Sequence, residues 1–488
     1  MISIIVTLTK YMILLLMLLY SFLCFTVFNK KTEKARKKVL RKQIVLIMLF
    51  LMTAFFAMLL QTRDVQMVIL FGEITAYVVV VQILYRLIYK KASILLLNNM
   101  CMLMSVGVVI LSRLKFGLAQ RQFLMIAAGT GLSLLVPVIV RKVKLLKDLT
   151  WVYGGAGIGL LMVVLLLAQV SGGAKLSVGL GENGPTFQLS EFVKIIYVFF
   201  LAGMLMKDTA FKHVVLTTAA AAAHVLILVV SKDLGTAVVF FVAYLVLVYV
   251  ATKNPFYPLA GLSGGAVASV GAFYLFSHVR VRVQAWQDPF YDYERGGYQI
   301  AQALFAICAG SWFGTGLFEG TPTAIPVATQ DFVFAAICEE LGGIFAICVI
   351  LVCMSCFLMI VNISMRLSKK FYKLIALGLG AEYAIQVFLT VGGNIKFIPM
   401  TGITLPLVSY GGSSMICSIM MFAIIQGLYI LRDDEHEQRE QDKAQAVKKR
   451  NDAVRKTRGY SVNEKERSSQ EKSLEEKIAE QTEKSLNW

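Results

Sequence analysis

The chain has 488 residues, 57% hydrophobic and only 16% charged, with a net charge of +18. Soluble domains carry fewer apolar and more charged residues, so a mean hydropathy of +0.70 excludes an ordinary water-soluble protein. The basic excess does not imply nucleic acid, because Lys and Arg sit in short loops between apolar runs, where the positive-inside rule puts them.

In chain order, apolar segments run near 11–29, 44–62 and 67–88. Others follow near 94–112, 123–140, 149–169, 191–206, 213–230, 234–251, 256–276, 332–361, 374–393 and 408–431. Each is close to the about 20 residues a helix needs to cross hydrocarbon, and none alternates as a barrel strand would. The predicted fold class is an all-α polytopic membrane protein. The first run, Tyr11 to Phe28, is followed by Lys and Arg and not by a small-residue cleavage site, so it reads as a retained helix.

The loops set an orientation. Segment 30–42 is crowded with cations, and every second loop after it is basic again: Arg86, Lys90 and Lys91; Arg141, Lys142, Lys144 and Lys147; Lys207 and Lys212; Lys253; Arg366, Lys369, Lys370 and Lys373. These loops are expected in the cytoplasm and the N-terminus outside. One outer loop, with Arg113, Lys115 and Arg121, departs from the pattern. The loop 170–190, the stretch Ser231–Asp233, the long loop 277–331 and the loop 394–407 then share the outer face. The tail 433–488 is rich in Lys, Glu, Gln and Ser and is expected to be cytoplasmic, disordered or a loose charged helix.

The eight Cys residues fall mostly inside apolar runs, and the four His residues form no ligand spacing. No Walker-type loop is present. Five stretches could carry chemistry. In GPTFQLSEFVKI, Ser190 could cap a helix whose Glu191 and Lys194 share one face. In SKDLGTAVVFF, Asp233 could cap the next helix. The loop from Arg280 to Gly320 is long enough to suggest a function. Its Arg280, Arg282 and Gln302, with several aromatics, suit an amphiphilic ligand bearing phosphate and sugar. In TQDFVFAAICEELGG, Asp331 sits at the mouth of a helix starting near Phe332. Glu339 and Glu340 lie about two turns deeper, where lipid would reject an unpaired acid; Lys194 or an Arg is the expected partner. In KFIPMTGITLPLVSYGGSSM, prolines and the Gly411-Gly412 pair interrupt helix at membrane depth, which is tolerated only inside protein or around a cavity. Ser409 and Tyr410 would face that cavity.

The pieces FQLSEFVKI, KDLGTA, GGYQIAQAL with GTGL, DFVFAAICEELG and TGITLPLVSYGG, in this order, resemble the SEDS family (shape, elongation, division and sporulation proteins). The resemblance covers about residues 93–432 and implies a ten-helix core with the large extracytoplasmic loop 277–331. Residues 1–92 then form about three extra transmembrane helices, and 433–488 the tail. It implies a glycosyltransferase that polymerises lipid II outside the cell membrane, beside a class B penicillin-binding protein, for division, elongation or sporulation. Undecaprenyl-pyrophosphate-linked glycan would be the growing chain.

The family's essential acid falls on Asp331, and its Ser, Glu and Lys on Ser190, Glu191 and Lys194. On this reading Asp331 is the general base. Glu191, Lys194, Arg280, Arg282, Gln302, Ser409 and Tyr410 bind substrate. Ser190, Asp233, Glu339, Glu340, Gly411 and Gly412 support the site. A divalent cation, Mg or Mn, held by Glu191 or Asp331, could help neutralise the pyrophosphate. Here Leu189 replaces the family's usual Pro, Leu176 stands where Trp is common, and Thr329 and Gln330 replace His-Thr. A lipid II flippase is the alternative function, but transporters tend to place sites at the bilayer midplane between internal repeats, whereas these polar clusters gather on one face. A non-catalytic scaffold would not need the intact acid set.

Overall fold

The computed structural model describes residues 2–167, 169–171, 174–179 and 186–486. The chain divides into two units, Met1–Arg432 and Asp433–Trp488. The described residues carry 13 helical spans long and apolar enough to cross a membrane, one for each apolar run of the sequence.

Three helices, α1 (Ile2–Asn29), α2 (Glu33–Thr62) and α3 (Val65–Ile88), precede α4 (Ile94–Leu114). Helix α4 is the central post: every residue from Leu95 to Ser112 is buried. Buried amides tie it to the first three helices. Asn98 Nδ2 donates to Gln43 Oε1 at 3.0 Å, and Gln82 Nε2 donates to Asn98 Oδ1 at 2.8 Å. Tyr20 OH donates to Asn99 Oδ1 at 3.0 Å. In a medium without water such groups must find one another.

The span predicted near 123–140 is broken into α5 (Phe116–Ser133) and α6 (Val136–Lys142). Pro137, in the first turn of α6, has no N–H to continue the ladder. After α7 (Thr150–Leu167) come three short antiparallel strands, β1 (Gln169–Ser171), β2 (Ala174–Gly179) and β3 (Thr186–Phe187), in that order. They lie in the predicted outer loop 170–190, whose remaining residues 172–173 and 180–185 lie outside the described residues. The side chain of Leu176 also lies outside them. Then follow α8 (Leu189–Lys207), α9 (Phe211–Val230), α10 (Leu234–Thr252) and α11 (Phe256–Leu275). No residue of α11 is fully buried.

The long loop 277–331 is largely ordered into helix. It contains α12 (Ser277–Gln287), a π turn at Tyr293–Gly297, α13 (Tyr298–Gly310) and a 3₁₀ turn at Pro322–Ala324. The single helix expected near 332–361 is two: α14 (Val333–Leu341) and α15 (Gly343–Arg366). The break is Gly342, at φ +92°, a left-handed conformation that side chains other than glycine resist. Glu339 and Glu340 therefore end a short helix ahead of the span and do not descend into it. The unit closes with α16 (Lys370–Asn394) and α17 (Gly412–Leu486), whose first residues belong here. Within the second unit, helix extends through the charged tail to Leu486.

Lys10 near the start of α1, Gln61 at the end of α2 and Arg113 at the end of α4 all reach the segment 314–340. The helices thus alternate in direction, as the loop charges require.

Candidate functional site

Asp331 stands one residue ahead of the N-cap of α14, and its backbone is held from several sides. Asn394, the last residue of α16, donates Nδ2–H to Asp331 O at 2.7 Å and accepts from Ala335 N at 3.1 Å. Ser409 Oγ donates to Gln330 O at 2.6 Å, and Tyr410 N donates to Thr329 O at 2.8 Å. Behind them, Gln122 of α5 donates to Ser409 O at 2.9 Å. Its Oε1 accepts from Gly411 N at 3.4 Å. Gly412 opens α17. Ser409 and Tyr410 thus hold the backbone just ahead of Asp331, and Gly411 holds Gln122 behind them.

The side chains of Asp331 and Arg282 both approach Gly402, within electrostatic range of each other. A Cβ on Gly402 would lie 3.6 Å from Arg282 Nη2 and 3.7 Å from Asp331 Oδ2. Those are ordinary contact distances; it is the backbone, at φ +75°, that disfavours any residue but glycine here. Arg282 Nη1 donates to Thr401 O at 3.1 Å, which fixes the guanidinium. Burial pushes the Asp331 carboxyl up to about 6, against the opposing pull of Arg282. Asp331 keeps some exposed surface, so the dense protein around it, and not full enclosure, sets this shift. Burial works against the Arg282 charge in turn, and the carboxylates of Asp331 and Asp233 sustain it.

A second cluster lies below, inside the bundle. Lys194 Nζ is 2.7 Å from Glu191 Oε2 and donates to Gln386 Oε1 at 2.9 Å. Gln386 Nε2 donates to Thr404 O at 3.0 Å. Glu382 is buried within electrostatic range of both Lys194 and Glu191. Asp233 caps α10 as predicted, accepting from Thr236 N at 3.2 Å. Ser190 is not the N-cap of α8. It lies inside the helix, and its Oγ donates to Asp233 Oδ2 at 3.2 Å. The reason is register: the helix begins at Leu189, with Gln188 before it.

One irregular segment joins the two clusters. Thr401 O serves Arg282, Gly402 separates Arg282 from Asp331, Ile403 O accepts from Thr390 at 3.0 Å, and Thr404 O accepts from Gln386. The irregular segment expected within 396–415 is thus a strap of backbone carbonyls that accept from Arg282, Thr390 and Gln386.

Glu339 and Glu340 hold a loop. Thr321 N donates to Glu339 Oε1 at 2.7 Å, and Phe318 N to Glu340 Oε2 at 2.8 Å. The cation that pairs with Glu340 is Arg113, at 2.8 Å; Lys194 is taken by Glu191. Burial pushes Glu340 up to about 7, with Arg113 opposing. Arg113, the outlier of the charge pattern, is therefore a structural ion-pair partner.

Two predicted binders stand apart. Arg280 is exposed, while Arg282, two residues on, is the one turned to Asp331. Gln302 donates to Tyr293 OH at 2.9 Å within its own loop. Sequence reasoning overlooked Glu382, Gln386 and Asn394, all on α16. Glu382 carried the available signal, an acid inside an apolar run. Among the described residues no three His, Cys, Asp or Glu side chains gather to hold a metal ion, and Glu191 and Asp331 each already face a cation.

The family model described as cell cycle protein, FtsW/RodA/SpoVE, matches residues 86–432. Peptidoglycan glycosyltransferase RodA of Mycobacterium tuberculosis is 33% identical over 360 residues, covering 68% of this chain and 76% of the relative. Probable peptidoglycan glycosyltransferase FtsW of Pseudoalteromonas translucida is 29% identical over 359 residues, covering 70% and 89%. A chain of a peptidoglycan synthase complex, solved to show how polymerization and crosslinking are coordinated, superposes with a TM-score of 0.60 at 25% identity, covering 70% of this chain and 98% of that one.

Proposed function

The chain belongs to the FtsW/RodA/SpoVE family, and we infer from its site how it acts. It is a peptidoglycan glycosyltransferase of the membrane, with Asp331 as the general base. The observation that carries this assignment is the approach of Asp331 and Arg282 to the same Gly402, within electrostatic range of each other, on a backbone clamped by Asn394, Ser409 and Tyr410.

The substrate read from this site is a lipid-linked sugar pyrophosphate, lipid II, approached from outside the cell membrane. A sugar hydroxyl is a poor nucleophile while protonated. Asp331 accepts its proton as the hydroxyl oxygen bonds to the anomeric carbon, and the bond from that carbon to the pyrophosphate breaks. Arg282 faces the charge that develops on the leaving pyrophosphate, where a fixed guanidinium costs no reorganisation. Glu191 and Lys194 do not reach this position as exposed binders. They are paired with each other in the bundle, and their role in this reading is to hold Gln386 and, through it, the strap. A class B penicillin-binding protein is the proposed partner, in keeping with the synthase complex that this fold matches.

The test is polymerisation of lipid II by purified protein with its cognate partner. Asp331→Asn should slow glycan formation by roughly 10²–10⁴-fold while leaving substrate binding measurable. Wild-type turnover in that variant would remove the base assignment.

A further inference from the structure

We propose that the N-terminal helices hold an anionic phospholipid at the basic end of α1 and α2. Lys34, Lys37, Lys38, Arg41 and Lys42 repeat at three- and four-residue spacing, so they form one stripe down α2. Val45 continues the stripe into the apolar part of the helix. With Leu19 and Leu23 of α1 and Leu46, these residues line a cavity of about 840 Å³. A second cavity of about 370 Å³ shares Lys37 and Arg41 with the first, and adds Arg86, Tyr89 and Lys90. Cations thus ring two adjoining hollows at the boundary between loop and span.

Like charges at this spacing repel along a helix. Glu33 is the one acid in the run 33–46, and it pairs with Lys37 at 3.0 Å in the open. The positive-inside rule asks only that cations lie in such a loop. It does not ask that they stack on one face above an apolar floor. Leu19 and Val45 leave 45% and 57% of their surface uncovered below the charges. Phosphate among the cations and acyl chain against these side chains satisfies both parts of the cavity, as neither a free phosphate nor a neutral lipid does. Basic pockets between membrane helices recognise anionic head groups by this chemistry. The site is separate from Asp331 and lies almost wholly before the residue range shared with the family.

The experiment measures binding of fluorescent phosphatidylglycerol and phosphatidylcholine to the full-length protein in neutral detergent, at matched ionic strength with and without inorganic phosphate. Phosphatidylglycerol should bind preferentially and resist displacement by phosphate. The variant Lys38→Gln/Arg41→Gln/Lys42→Gln should weaken that binding by about tenfold or more, with an unchanged melting curve as the control for folding. Leu23→Trp, which fills the apolar floor and keeps every cation, should weaken it as well. Equal binding of the two lipids, displacement by inorganic phosphate, or full binding in both variants would overturn the proposal.

Discussion

At the scale of single residues, Asp331 works under a tension that can be titrated. A base must be ionised, and burial lifts this carboxyl to about 6. Activity should therefore be present above that pH and fall as pH drops through it. Arg282 lowers the same value, so Arg282→Ala should move the acid limb of the pH–rate profile upward, besides lowering turnover. The stability sign runs the other way. A carboxyl whose folded value is raised binds its proton more tightly in the fold than in the unfolded chain, so its ionisation costs stability as pH rises toward and past 6. Asp331→Asn removes that cost. The inactive variant should melt higher than wild type at neutral pH, and the gap should close in acid; calorimetry over a pH series measures both. Its proposed role as base was suggested by the motif. Its partner was not, because Arg280 and Arg282 are equivalent in composition and only the turn of α12 separates them.

At the scale of elements, the short helix α14 shows how the site is held. Its N-terminal end is clamped by Asn394 through Asp331 O and Ala335 N. Its C-terminal end carries Glu339 and Glu340, which accept loop N–H groups and the Arg113 guanidinium. Removing one partner of a buried pair leaves an uncompensated charge, at a cost of about 3–5 kcal/mol. Arg113→Ala should lose about that much stability, and Glu340→Gln added to it should restore part of the loss, since the neutral amide needs no counter-ion. Thermal unfolding of both variants in detergent decides this. The sequence showed two acids that needed a partner. It offered Lys194 as well as an Arg, because Lys194 and Arg113 are both cations near apolar runs, and only packing shows that Glu191 has already claimed Lys194.

At the scale of the whole first unit, the first two helices brace the segment 314–319 and α15. Lys10 Nζ donates to Gly314 O at 3.0 Å, and Gln61 Nε2 donates to Glu319 Oε1 at 2.8 Å. Phe50 of α2 stacks on Phe345 of α15, with ring centroids 6.0 Å apart. The chain lacking residues 1–92 should melt well below wild type, since it uncovers one side of α4, strips Asn98 of Gln43 and Gln82 and deprives the Asn99 carbonyl of Tyr20. Lys10→Ala/Gln61→Ala should keep the melting point nearly unchanged and reduce glycan polymerisation, because only the grip on the loop is lost. Size-exclusion chromatography, melting curves and the polymerisation assay together separate these outcomes.

Hydropathy and loop charge were enough to give the spans, their alternation and the acid at the mouth of α14, because hydrocarbon imposes length and polarity rules that act locally along the chain. They could not place the break at Gly342, the helices inside the segment 277–331, or the pairing of Arg113 with Glu340 across more than 200 positions of sequence. Those depend on which surfaces meet when the helices pack. In a dry interior each charge and amide must take whichever partner the packing brings within reach. Distance in space, which the chain order does not encode, made Arg282 and Gly402 the neighbours of Asp331.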